Sequence, residues 1–98
     1  NTLLQELYAQ LVAASTPSLV DGLKVGAAIE EIDMLDINKA MSAIDNQDIL
    51  MVYQNLLKGS RNHFRSFVAT LTNQGVSYEP QYMVLADYLA IINAPMER

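Results

Sequence analysis

The sequence predicts an all-α chain, a long antiparallel helical hairpin flanked by short helices. Three observations carry the prediction. Two long stretches repeat apolar residues every three or four positions, a tight Asp45-Asn46-Gln47 connection separates them, and no stretch alternates as a strand would. Two long helices joined by so short a turn must lie antiparallel.

A short amphipathic helix is expected over Thr2 to Ala14, where Leu3, Leu4, Leu7, Leu11 and Val12 recur at helical spacing. Ser15-Thr16-Pro17-Ser18 breaks it, and Thr16 before Pro17 reads as an N-cap followed by a proline in the first helical position. The second helix is expected from Pro17 to Ile44, on the order of 40 Å long. Asn46 or Asp48 can cap the third, which runs from Asp48 to Asn73 and stops at Gly75. Val76 to Pro80 reads as extended, Tyr82 to Ile92 as a last short helix, and Pro95 to Arg98 as a frayed tail.

At 98 residues the chain is one domain or less, and its core is modest. It is 51% hydrophobic and only 17% charged, an apolar balance that a partner surface would reconcile with its size. A net charge of −5 and an isoelectric point near 4.5 argue against nucleic acid as a partner. One basic cluster, Lys58, Arg61 and Arg65, reads as a solvated face paired with nearby acids. Without cysteine there is no disulfide or thiolate chemistry, and no apolar run has the length to span a bilayer. The chain begins at Asn1 without Met, so the natural N-terminus and any targeting segment are taken to lie upstream, with a cytoplasmic location favoured.

The helical seams hold the informative residues. On the second helix, steps of three and four pass through Leu23, Gly26, Glu30, Asp33, Ile37, Ala40 and Ile44. On the third they pass through Ile49, Val52, Leu56, Gly59 and His63, with Phe67 and Leu71 beyond. With the turn centred near Asn46, Glu30 falls level with His63 and Asp33 level with Ser60. An unpaired carboxylate in an apolar seam is penalised by several kcal/mol, and two carboxylates one turn apart repel. A divalent cation answers both objections, since Glu with His is a ligand set for iron, manganese or zinc. The candidate metal ligands are Glu30, His63, Asp33 and Glu31. The bland alternative leaves Glu30, Glu31 and Asp33 partly solvated and His63 hydrogen-bonded to a carboxylate across the hairpin. Gly26 and Gly59, each costing about 1 kcal/mol in mid-helix, imply close helix approach or room for a ligand.

Three stretches, Leu23 to Asp33, Tyr53 to Phe67 with its Gly59-Ser60-Arg61-Asn62-His63-Phe64-Arg65 run, and Gln74 to Tyr82, resemble the C-terminal half of a prokaryotic ferritin-like family, domain of unknown function 2202. The resemblance covers nearly the whole chain. It implies that residues 1–98 are a partial ferritin-like domain, the second helical pair of a four-helix bundle, with two more helices preceding Asn1. Thr2 to Ala14 would link the two helical pairs. Glu30 would be the ligand of the third bundle helix and His63 that of the fourth. One departure stands out, because Ser60 occupies the position three before the histidine where such sites carry Glu. The resemblance implies a carboxylate-bridged iron or manganese protein, with zinc as a substitute and oxidase, peroxidase or ferroxidase chemistry. Metal storage without turnover and a metal-free helical interaction module remain alternatives. Tyr53 reads as core packing, with a redox or hydrogen-bonding role as its alternative. An apolar hairpin face also predicts a homodimer that restores four helices.

Overall fold

In the structure, a computed structural model that describes residues 5–6 and 18–98, the described residues form helices and no strand. The expected helix over Thr2 to Ala14 and the Thr16-Pro17 start lie outside the described residues, except Gln5 and Glu6, which are helical. Helix α1 spans Leu19–Met41, α2 spans Gln47–Asn73 and α3 spans Leu85–Ile92.

Local chemistry sets the ends of the two long helices. Ser18 caps α1, its hydroxyl accepting from the Asp21 amide at 3.0 Å. The helix ends three residues sooner than expected. Its last amides turn to tighter bonds, Ala43 to the Ala40 carbonyl and Ile44 to the Met41 carbonyl, both 3.2 Å, while the Ser42 hydroxyl donates to the Lys39 carbonyl at 2.7 Å. Asn46 then caps α2, accepting from Asp48 at 2.9 Å and Ile49 at 3.2 Å. At the far end Gly75, at φ +79°, lets the chain close with Val76 donating to the Leu71 carbonyl and Gly75 to that of Thr72, both 2.9 Å. That pair of reversed bonds is the Schellman ending, which glycine adopts without strain.

The hairpin is antiparallel, and one of its faces is covered. Residues 76–84 form a strap that crosses it, and α3 packs back on α2. Ala27 and Met34 from α1, Phe64, Val68 and Leu71 from α2, Tyr78 and Met83 from the strap, and Tyr88 from α3 make the core. The Phe64 ring meets Tyr78 and Tyr88 edge-on, with centroids 5.9 and 5.8 Å away, and the Tyr88 hydroxyl donates to the Tyr78 carbonyl at 2.9 Å.

The seam read from the sequence is therefore core only in part: Leu71 lies in the core and Leu23 and Phe67 pack against it, but the turn end of the α2 seam does not. Ile49, Val52 and Leu56 are each roughly half exposed, and Gly59 has nothing within 4 Å of where a Cβ would stand. The strap and α3 cover the adjacent face instead, a long-range event that helical periodicity does not encode. Gly26 does fulfil the close-approach expectation, because a Cβ there would stand 2.8 Å from the Phe67 ring.

The tail, expected to fray, is docked. Both Glu97 carboxylate oxygens accept from Arg61 at 2.6 Å, and Arg65 adds a third bond at 2.8 Å. The Arg61 hydrogen bonds, with Arg65 beside them, hold the Glu97 carboxyl down at about 2 against an ordinary 4.5, although partial burial works the other way. Arg61 and Arg65 of the basic cluster are thus paired with an acid as expected, and Lys58 bonds the Arg98 carbonyl, but Arg65 is buried and not solvated.

Two predictions follow from this packing. Gly26→Ala should destabilise the chain by about 1 kcal/mol or more by crowding Phe67, whereas Gly59→Ala should stabilise it by about 1 kcal/mol, as read by urea unfolding. A depressed carboxyl contributes stability that is full above the unfolded value and lost as pH falls through the folded one. The stability difference between the unmodified chain and Glu97→Gln should therefore be complete at neutral pH. It should shrink as pH drops from 4.5 toward about 2.

Candidate functional site

Glu30 and Glu31 are adjacent on α1, and a rotation of about 100° per residue sends them to different sides of it. Glu31 has no exposed surface and points under the strap. The Tyr78 hydroxyl and the Gln81 amide donate to Oε2, the latter at 3.0 Å, while the amides of Tyr82 and Met83 donate to Oε1 at 2.8 and 2.9 Å. Three consecutive backbone N–H groups converging on one carboxylate form an anion nest. The last helix begins at Leu85 and not at Tyr82, and the strap amides before it point at Glu31. Burial and the Glu31 hydrogen bond push the Tyr78 hydroxyl far above its ordinary value, so it stays a donor.

Glu30 lies on the other side, toward the uncovered face. Its side chain is only 13% exposed, and its Oε1 sits 3.5 Å from Nδ1 of His63, whose own side chain is 69% exposed. Glu30 therefore stands level with His63 as the sequence leads one to expect, while the Ser60 side chain, expected level with Asp33, acts on Glu30. The second oxygen of Glu30, Oε2, is buried with no hydrogen-bond partner. Burial pushes the Glu30 carboxyl up and the Asp33 charge adds to this, while hydrogen bonding from the Ser60 side chain and the charge and hydrogen bond of His63 act in the opposite sense. Asp33, half-buried one turn on, is raised by burial and by the neighbouring Asp36. Among the described residues no group of three or more His, Asp or Glu side chains is arranged to hold a metal ion. Glu30 and His63 are brought together, Asp33 is near enough to be felt by Glu30, and Glu31 is committed to the strap. Tyr53 is half-buried on α2. No helix among the described residues is long and apolar enough to cross a membrane.

Sequence reasoning missed the Glu31 nest and the Glu97 clasp. A signal for the first was present in the Glu30-Glu31 pair, since two adjacent helical acids cannot share a face. For the second it was a lone acid in the tail Pro95-Met96-Glu97-Arg98, with two arginines spaced four apart on α2.

The fold and this cluster define an all-α helical hairpin with one sealed face and one open, polar-centred face. The chain belongs to the family described as uncharacterized protein domain DUF2202, which it matches over residues 1–95. An uncharacterized protein of Methanocaldococcus jannaschii, MJ0754, is 49% identical over 98 residues, which are all of this chain and 53% of that protein. A crystal structure of hypothetical protein MJ0754 from Methanococcus jannaschii superposes with a TM-score of 0.88 over 95% of this chain and 53% of that one. The chain thus spans about half the length of the relative it matches.

The two neighbouring acids should respond oppositely to mutation. Glu31→Ala strands a buried hydroxyl and three amides and should cost about 3 kcal/mol or more in urea unfolding. Glu30→Gln removes a poorly solvated charge and should leave stability unchanged or raise it.

Proposed function

We propose that the chain is one half of a ferritin-like four-helix bundle, and that Glu30 and His63, with Asp33, are half of a metal site that a second pair of helices completes. The observation that carries this reading is the buried, unpartnered Oε2 of Glu30 beside an exposed imidazole. On the stripe of α2 that leads from the turn to His63, Ile49, Val52 and Leu56 stand roughly half exposed. A buried carboxylate oxygen without a donor is costly, and a cation is one partner that offsets the cost. Carboxylate and imidazole together suit iron or manganese, with zinc as a substitute.

The residues present fit such an ion as a partial donor set. Glu30 supplies charge from a position held by α1, and His63 supplies a ring nitrogen from α2. Asp33 adds negative potential one turn away. Glu31 is spent on the strap, and Ser60 brings no charge, so further carboxylates must come from the second helical pair. A second copy of this chain, packed through the same face about an axis beside Glu30 and His63, would bring its own pair there. In a longer parent the remaining length, close to that of the chain itself in the M. jannaschii relative, would do so within one polypeptide. Bound iron or manganese would supply redox chemistry with oxygen or peroxide there, which makes an oxidase or ferroxidase role the activity to assay in the whole protein.

A second reading, a metal-free helical interaction module, is favoured by Ser60 in place of a glutamate and by the absence of a complete donor cluster among the described residues. On that reading Glu30 and His63 pair only with each other. Ion titration separates the two. A ligand that binds only the folded state raises stability with its concentration, by about 2.7 kcal/mol at a hundredfold excess over Kd. The metal reading expects Mn(II) to raise the melting temperature of the chain and chelator to reverse the rise. It also expects His63→Ala to abolish the response. A melting temperature indifferent to Mn(II), Fe(II) and Zn(II) in both the chain and its full-length parent would leave the interaction module as the better account.

A further inference from the structure

The basic cluster singled out in the sequence takes no part in the proposed metal site, yet it is the most fully bonded polar feature of the surface. Lys58, Arg61, Asn62 and Arg65 follow the spacing i, i+3, i+4, i+7 and so line one side of α2. What they hold is one residue and its successor. Arg61 grips both oxygens of the Glu97 carboxylate through Nε and Nη2, each at 2.6 Å, and Arg65 Nη1 adds a bond at 2.8 Å. The Asn62 carboxamide donates to the Glu97 carbonyl at 2.7 Å and accepts from the Glu97 amide at 2.8 Å. Lys58 Nζ donates to the next carbonyl, that of Arg98, at 2.7 Å.

This is more than a charge pair. An ion pair at a surface requires only two opposite groups, and its worth is small. Here an amide side chain reads the N–H and C=O of a single residue, which point the same way only when that residue is non-helical and extended. The forked guanidinium reads its carboxylate. The reader is also built in advance. Arg65 is almost wholly buried and is fixed by the Ile91 carbonyl at 2.7 Å and the Asn62 oxygen at 3.0 Å. A buried guanidinium demands an acidic partner, whichever chain supplies it.

We propose that Lys58, Arg61, Asn62 and Arg65 form a peptide-reading site for a glutamate in an extended segment, filled in cis by the chain's own Glu97. The partner class is an acidic extended peptide. The cis tail acts as a resident competitor, because a short tether holds it at an effective concentration on the order of millimolar. An acidic segment of another chain binds only when that tail is withdrawn.

The test is a chain shortened to end at Ala94, titrated by fluorescence anisotropy with a labelled peptide carrying residues 93–98. Saturable binding is expected, weakened at least about tenfold by Glu97→Gln in the peptide and absent from the uncut chain. Equal binding of both peptides, or no saturable binding by a shortened chain of native helicity, would overturn the proposal. Should the shortened chain unfold, full-length Asn62→Ala serves in its place, since it keeps every charge and loses only the backbone reading. Exchange of the Glu97 amide should then accelerate about tenfold or more, while the Tyr82 and Met83 amides under Glu31 stay protected. A Glu97 amide as protected as before would show that charge pairing alone holds the tail, and would overturn the reading.

Discussion

One carboxylate organises this structure. Glu31, fully buried, is the acceptor for the Tyr78 hydroxyl and for the successive amides of Gln81, Tyr82 and Met83. Without that acceptor the strap would leave the buried Tyr78 hydroxyl and Met83 amide without a partner, each at a cost on the order of 1–3 kcal/mol. With it, the strap crosses the hairpin and delivers Tyr78 against Phe64, and the aromatic cluster with Tyr88 docks α3. The other face of the hairpin is left open as a direct consequence.

The contrast between adjacent glutamates separates structure from function. Glu31 is satisfied and serves packing. Glu30 is desolvated, carries a raised pKa, and leaves one oxygen without a donor. Natural chains keep such unfavourable groups where something outside the local packing compensates them. The half exposure of Ile49, Val52 and Leu56 on the α2 stripe that leads to His63 points the same way, toward helices that would bury that stripe and the polar centre together. A chain that spans about half of its M. jannaschii relative is consistent with that reading.

How much of this was legible in the sequence depends on the range of the interaction. Asn46 and Gly75 acted through their own neighbours and marked their helix ends correctly. The level pairing of Glu30 with His63 followed from turn length alone. Contacts made across fifty residues were not legible. Periodicity identified a stripe through Ile49, Val52 and Leu56 but could not tell whether this chain covers it. The strap before α3 is held by Glu31 fifty residues away, and the tail docks because Glu97 finds Arg61 thirty-six residues away.

The central claim is that the open face carries a cation half-site at Glu30 and His63 and that Glu31, its sequence neighbour, has no part in it. Paramagnetic broadening by Mn(II) in a nitrogen-15 labelled chain tests this residue by residue, because the effect falls steeply with distance from the ion. The account predicts saturable broadening centred on the resonances of Glu30, Ser60 and His63, weaker at the strap amides of Tyr82 and Met83. Broadening centred on the exposed acids at Asp45 and Asp48, or none above the level of free ion, would contradict it.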